Sequence, residues 1–155
     1  MLNMKAVLLG LAFALTQVNG HFTLTYPTTV GFDDNTESTG PCGGFTPTFD
    51  SPTDFHVGGD VIAVLSTHPE ANWFFRATLD KTAQANFTNI IPEVQQLGLG
   101  AFCEQALTLP SSYAGQQGVI QIIQSAADGN LYQVSPPSSD QIMAGPELTL
   151  PSVPL

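Results

Sequence analysis

Three residues in this chain are of types and in places that could hold a metal ion. His21 follows Asn19-Gly20, His68 stands within Ser66-Thr67-His68-Pro69-Glu70-Ala71-Asn72, and Asp128 opens the pair Asp128-Gly129. If the chain is cut after Gly20, His21 becomes a terminal residue whose free α-amine and ring Nδ1 can close on one ion as a chelate. Two nitrogens from one residue suit Cu(II), which favours nitrogen ligands in tetragonal geometry. Each residue also has an ordinary reading. A cut can leave a histidine by accident, a histidine before proline is a common polar loop residue, and an aspartate before glycine is first of all a turn former. His56, in Phe55-His56-Val57, is the competing second histidine.

The cut itself is predicted by what precedes it. Lys5 is followed by the apolar run Ala6-Val7-Leu8-Leu9-Gly10-Leu11-Ala12-Phe13-Ala14-Leu15 and then by the polar exit Thr16-Gln17-Val18-Asn19-Gly20. Such a run is too short to span a bilayer and has the form of a secretory leader, here residues 1–20, with Val18 and Gly20 at the two restricted positions. A secreted, extracellular domain is therefore expected. No later apolar run has the length of a membrane span.

Past the leader, the two remaining bases, Arg76 and Lys81, stand against 13 acids, a formal charge of −11. A surface this acidic argues against nucleic acid and anionic membranes and gathers cations around it. What remains is enough chain for one domain with a real core. Cys42 and Cys103 are the only cysteines. Secretion normally oxidises such a pair, and a bridge closing a loop of roughly 60 residues would add about 4 kcal/mol on the chain-entropy account. Spacing does not say whether the two meet. Asn86-Phe87-Thr88 is a glycosylation sequon.

The elements that must position the three residues read as short strands joined by turns. Phe22-Thr23-Leu24-Thr25-Tyr26 alternates apolar and hydroxyl residues and stops at Pro27. Residues 28–54 carry Gly, Asp, Asn, Ser and Pro without a period and read as one long loop. Val61-Ile62-Ala63-Val64-Leu65 is a second strand and Trp73-Phe74-Phe75-Arg76-Ala77-Thr78-Leu79 a third, with His68 in a hairpin-like connection between them. Residues 87–91 suggest a further strand, residues 93–97 a single helical turn, and residues 106–109 a strand. Gly118-Val119-Ile120-Gln121-Ile122-Ile123-Gln124 is the clearest strand, and Leu131-Tyr132-Gln133-Val134 returns after the Asp128-Gly129 turn. Trp73 and Tyr132 fall inside apolar strands and are expected in the core. Residues 135–155, rich in proline and serine, read as an irregular, disordered tail.

Strands of this kind fit an all-β fold, an immunoglobulin-like or fibronectin-like antiparallel β-sandwich spanning residues 21–134. In that topology the start of the first strand, the loop between the second and third, and the loop of the last hairpin gather at one end. His21, His68 and Asp128 occupy those three places. Together they would offer one amine, two imidazoles and a carboxylate, a tetragonal N,O set for Cu(II). His56 abuts Gly58-Gly59 at the start of a strand, which puts it toward the opposite end.

Several motifs in order resemble a known family. His21 followed by Phe-x-Leu-x-Tyr-Pro, then Pro41-Cys42-Gly43-Gly44, His68-Pro69-Glu70-Ala71 with Trp73, Arg76-Ala77-Thr78-Leu79, and Asp128-Gly129 with Leu131-Tyr132-Gln133 are similar to the fungal copper-binding proteins related to lytic polysaccharide monooxygenases. The resemblance covers roughly residues 21–133. It implies a histidine brace from His21 and His68, an aspartate placed on Asp128, tightly held copper and no oxidative cleavage of polysaccharide. It also implies a place beside a plasma-membrane copper transporter; the cell wall is the other partner expected. Two departures stand out. Where the family continues with Cys-Ala-Asp, this chain has Val134-Ser135-Pro136, and it ends at Pro154-Leu155 without a serine-rich segment or lipid-anchor signal.

The sequence thus predicts a secreted Cu(II)-binding protein of copper homeostasis rather than an enzyme. A copper monooxygenase acting on polysaccharide and a cell-wall interaction domain remain the alternatives.

Overall fold

The computed structural model describes residues 20–50, 53–137 and 142–143. Among the described residues there are ten strands: β1 (Phe22–Tyr26), β2 (Phe55–His56), β3 (Asp60–Ser66), β4 (Glu70–Thr78), β5 (Thr88–Asn89), β6 (Val94–Leu97), β7 (Gly100–Leu107), β8 (Val119–Ala126), β9 (Gly129–Ser135) and β10 (Ile142–Met143). One antiparallel sheet has the order β1-β3-β7. The other runs β5-β4-β8-β9, with β6 also paired to β4.

Alternation makes the sandwich. Phe22, Leu24, Ile62 and Val64 point inward from the first sheet and meet Trp73, Phe75, Ala77, Ile120 and Ile122 from the second. Each fully buried side chain of this size contributes roughly 1.5–3 kcal/mol. Phe22 meets the Trp73 ring edge-on with centroids 5.1 Å apart, which locks the first residue of β1 onto the opposite sheet. The fold is the all-β antiparallel sandwich the strand pattern predicts, and Trp73 is buried in its core.

Four expectations need correction. The link between β3 and β4 is not hairpin-like: β3 pairs with β1 and β7, β4 with strands of the other sheet, so Thr67-His68-Pro69 crosses between layers. Each strand buries one face, from opposite sides of the same core, so they do not pair. Residues 94–97 are strand, not a helical turn, and pair with β4 from Glu70↔Leu97 to Trp73↔Val94. The five residues between Pro92 and Gly98 give a helix too few bonds to offset nucleation, whereas β4 offers a ready edge. Strand β7 begins at Gly100, well before residue 106, because Phe102 and Glu104 turn inward while Ala101, Cys103 and Gln105 face solvent. Finally, Cys42 and Cys103 are unpaired. Cys42 packs in a second cluster with Ala83, Val119 and Val134, and Cys103 is exposed on β7.

The first nineteen residues of the expected leader lie outside the described residues. So does most of the expected tail, but β9 continues to Ser135, and β10 pairs in parallel with β2 through Ile142↔Phe55 and Met143↔His56. Among the described residues no helix is long and apolar enough to cross a membrane.

Candidate metal centre

His68 sits in the three-residue crossover, fixed from both sides. Its backbone N–H donates to Ser66 Oγ at 3.2 Å. Its carbonyl accepts from Gln96 Nε2 at 2.7 Å, and Gln96 in turn accepts from Trp73 Nε1 at 2.8 Å. Only 7% of the His68 side chain is exposed. Ring Nδ1 lies 2.7 Å from Gln124 Oε1. The Gln124 amide donates to Ser66 Oγ at 2.6 Å, so its carbonyl faces the ring and Nδ1 carries a proton. Nε2 is thereby the nitrogen turned outward.

Nε2 meets Asp128. The two carboxylate oxygens stand 2.8 and 3.0 Å from it. Asp128 occupies the two-residue loop of the β8–β9 hairpin, closed by the pairing Ala126↔Gly129, with Gly129 at φ 129°. Burial works against the charge of this carboxyl, but the hydrogen bonds from His68 and the Gly20 N–H, with the charge of the His68 ring, prevail and hold it below the usual carboxylate range.

The third residue is beside them but not part of the pair. With the Gly20–His21 peptide bond intact, the His21 N–H donates to Thr67 Oγ1 at 2.8 Å, and Thr67 N–H donates back to the His21 carbonyl at 2.9 Å. His21 Nδ1 lies 3.5 Å from Thr67 Oγ1 and 3.8 Å from Asp34 Oδ1. Gly20 bridges the gap: its N–H donates to Asp128 Oδ2 at 3.1 Å, and a β-carbon on it would stand 2.5 Å from His68 Nε2. The residue before His21 therefore lies across the His68 ring. A cleft of about 470 Å³ lined by Gly20, His68, Pro69, Glu70 and Asp128 opens at this point. Among the described residues no three His, Cys, Asp or Glu side chains are assembled to hold a metal ion.

His56 is elsewhere. Its Nδ1 binds Asp60 Oδ2 at 2.9 Å, at the end of β3 away from Ser66 and His68. Residues that the motif reading passed over support the site from behind. Glu37, 2% exposed, accepts from Phe22 N–H at 3.4 Å and from Gln133 Nε2 at 3.0 Å. Gln133 Oε1 accepts from Leu24 N–H at 3.0 Å. These two side chains serve β1 as a partner strand would on its open edge. The available signal was parity: Gln124 and Gln133 fall at inward positions of apolar strands, where an amide persists only if something uses it.

Residues 19–134 match the family model described as "Copper acquisition factor BIM1-like". A curated relative from Yarrowia lipolytica (strain CLIB 122 / E 150), "Lytic polysaccharide monooxygenase-like protein X325", is 34% identical over 140 residues, covering 83% of this chain and 52% of the relative. The chain thus spans about half the length of the curated relative it matches.

Proposed function

The chain belongs to the BIM1-like copper acquisition factor family, and from that membership we propose that it is a secreted protein that captures Cu(II) and passes it on at the fungal cell surface. His21 would give its amine and ring Nδ1, His68 its Nε2 and Asp128 a carboxylate oxygen. The copper is cargo. One observation supports this most: Nε2 and the Asp128 carboxylate converge to 2.8 Å on the point where the Gly20-His21 junction is laid down. Removal of the leader after Gly20 would lift that residue off the ring and turn the His21 amide into an amine beside the pair.

The donor set fits the ion. The Gln124 carbonyl fixes the His68 tautomer, as second-layer partners of metal-bound histidines commonly do. An anionic oxygen favours Cu(II) over Cu(I), which suits binding better than oxygen activation. A plasma-membrane copper transporter or the cell wall is the partner this reading expects.

The test is the Cu(II) EPR spectrum of the secreted protein, its terminus confirmed by mass spectrometry, beside His68→Ala and Asp128→Ala. The expected result is one axial copper signal with nitrogen couplings, lost in His68→Ala and altered in Asp128→Ala. Absence of a stoichiometric signal despite a free His21 sinks the copper site. Ascorbate-driven release of oxidised oligosaccharides from polysaccharide would move the protein to the enzymes.

A further inference from the structure

Among the described residues, the exposed large apolar side chains are Leu97 (73%), Leu99 (65%), Leu65 (47%) and Phe32 (38%). All four lie at the end of the sandwich that carries His21 and His68. Leu97 stands opposite Glu70 in the β6–β4 ladder. The next residue, Gly98, donates its N–H to the Pro69 carbonyl at 2.7 Å, which fastens the Leu97-Gly98-Leu99-Gly100 turn to the residue after His68. Leu65 faces outward one position before Ser66, between Thr23 of β1 and Ala101 of β7. The Phe32 ring centroid is 5.7 Å from that of His21. The two turn leucines thus lie on the β7 side of this end and Phe32 on the β1 side.

The bases, though not the acids, divide the same way, since Asp60 and Asp80 lie toward the other end. Asp34, Glu70 and Asp128 surround this end. The two bases of the domain lie away from it. Arg76 pairs with Gln121 and Asn89 six residues further along β4, about 20 Å from Glu70 at the rise of a strand. Lys81 lies beyond the end of β4, bonded to Gln117.

We propose that this end is a docking surface for a partner protein that presents an apolar cleft bordered by lysine or arginine. Exposed apolar side chains grouped at one end and set among polar residues mark interaction surfaces. The acids decide the kind of partner. A second copy of the chain would press Asp34, Glu70 and Asp128 against their like. A bilayer would take the leucines, yet an anionic leaflet repels the three carboxylates and a zwitterionic one offers them no net positive charge. A basic, apolar protein surface answers both at once. That docking brings the copper cleft to an acceptor rests on the copper reading, whereas the surface itself does not.

The test is a titration of the metal-free, isotope-labelled protein with a synthetic amphipathic Lys/Leu peptide, read by amide chemical shifts, beside a Glu/Leu peptide of the same pattern. Shifts should cluster at residues 97–101, Leu65 and Phe32. Affinity should fall at least about 10-fold in Leu97→Ser/Leu99→Ser and fall as salt rises, while the Glu/Leu peptide stays unbound. Both leucines are exposed, so the double variant should keep the parent melting temperature. Equal binding of both peptides, shifts centred elsewhere, self-association of the protein, or partition onto phosphatidylcholine vesicles without peptide binding overturns the proposal. Peptide binding that persists in His68→Ala with no copper signal in the parent protein would sink the copper reading alone. A copper signal without peptide binding would sink the docking surface alone.

Discussion

Glu37 is held in the core by needs other than its own. Burial raises its carboxyl to about 7, against the hydrogen bonds from Gln133 and Phe22 that lower it, and Asp34 adds repulsion. Among the described residues its Oε2 has no hydrogen-bond partner. A folded value above the unfolded one means that the native state binds the extra proton. The stability so gained is present below the ordinary value near 4.5 and is lost as pH rises through about 7. The domain should therefore be more stable at pH 5 than at pH 8 by an amount on the order of 2–3 kcal/mol, and so melt higher. Calorimetry of Glu37→Gln should show that slope flattened, and an unchanged slope would remove Glu37 as its source. Nothing in the motif Asp33-Asp34-Asn35-Thr36-Glu37 marks the last carboxylate as buried. His68 and Asp128, by contrast, were legible, because a histidine before proline and an aspartate before glycine announce loops, and loops at one end of a sandwich meet. The Gln124 and Gln133 roles depend on which neighbour an inward amide reaches, and that neighbour comes from another sheet.

Strands were legible where one face is uniformly apolar, as in β3, β4 and β8. They were hidden where both faces are mixed. Strand β7 buries Phe102 and Glu104 only in part, and β6 holds the inward Gln96 to satisfy Trp73 and the His68 carbonyl. Neither pattern has a clean period, so each was fixed by a neighbouring edge. The same dependence explains the cysteines. Cys42 is tethered beside β9 and packs with Val134, the position where the resembling family carries a cysteine. Val134→Cys should form a bridge with Cys42, seen as loss of two thiols under non-reducing conditions and a higher melting temperature that falls on reduction. The loop is long enough for about 4 kcal/mol on the chain-entropy account, of which engineered bridges often deliver less. Three free thiols in the folded variant would show that the side chains of this cluster do not face one another.

The whole molecule has two unlike ends. One gathers His21, His68 and Asp128, and the other holds His56 against Asp60 at 2.9 Å. The length of β3 lies between Asp60 and Ser66. His56→Ala should therefore leave Cu(II) binding as in the parent protein, whereas the corresponding change at His68 abolishes it. Isothermal titration of the two variants checks this, and a loss with His56→Ala would move the site to the wrong end. The sandwich as a class was legible from alternation, but the crossing of His68 between layers was not, since pairing partners are chosen by which faces are left to bury. At this scale Gly20 acquires a meaning in time. On the reading proposed above, Gly20, lying across the His68 ring and bonded to Asp128, would keep the place of the cargo while the leader is attached. On that reading, the nascent chain can fold without competing for the copper of the cell that makes it, and its appetite for the metal begins only after export.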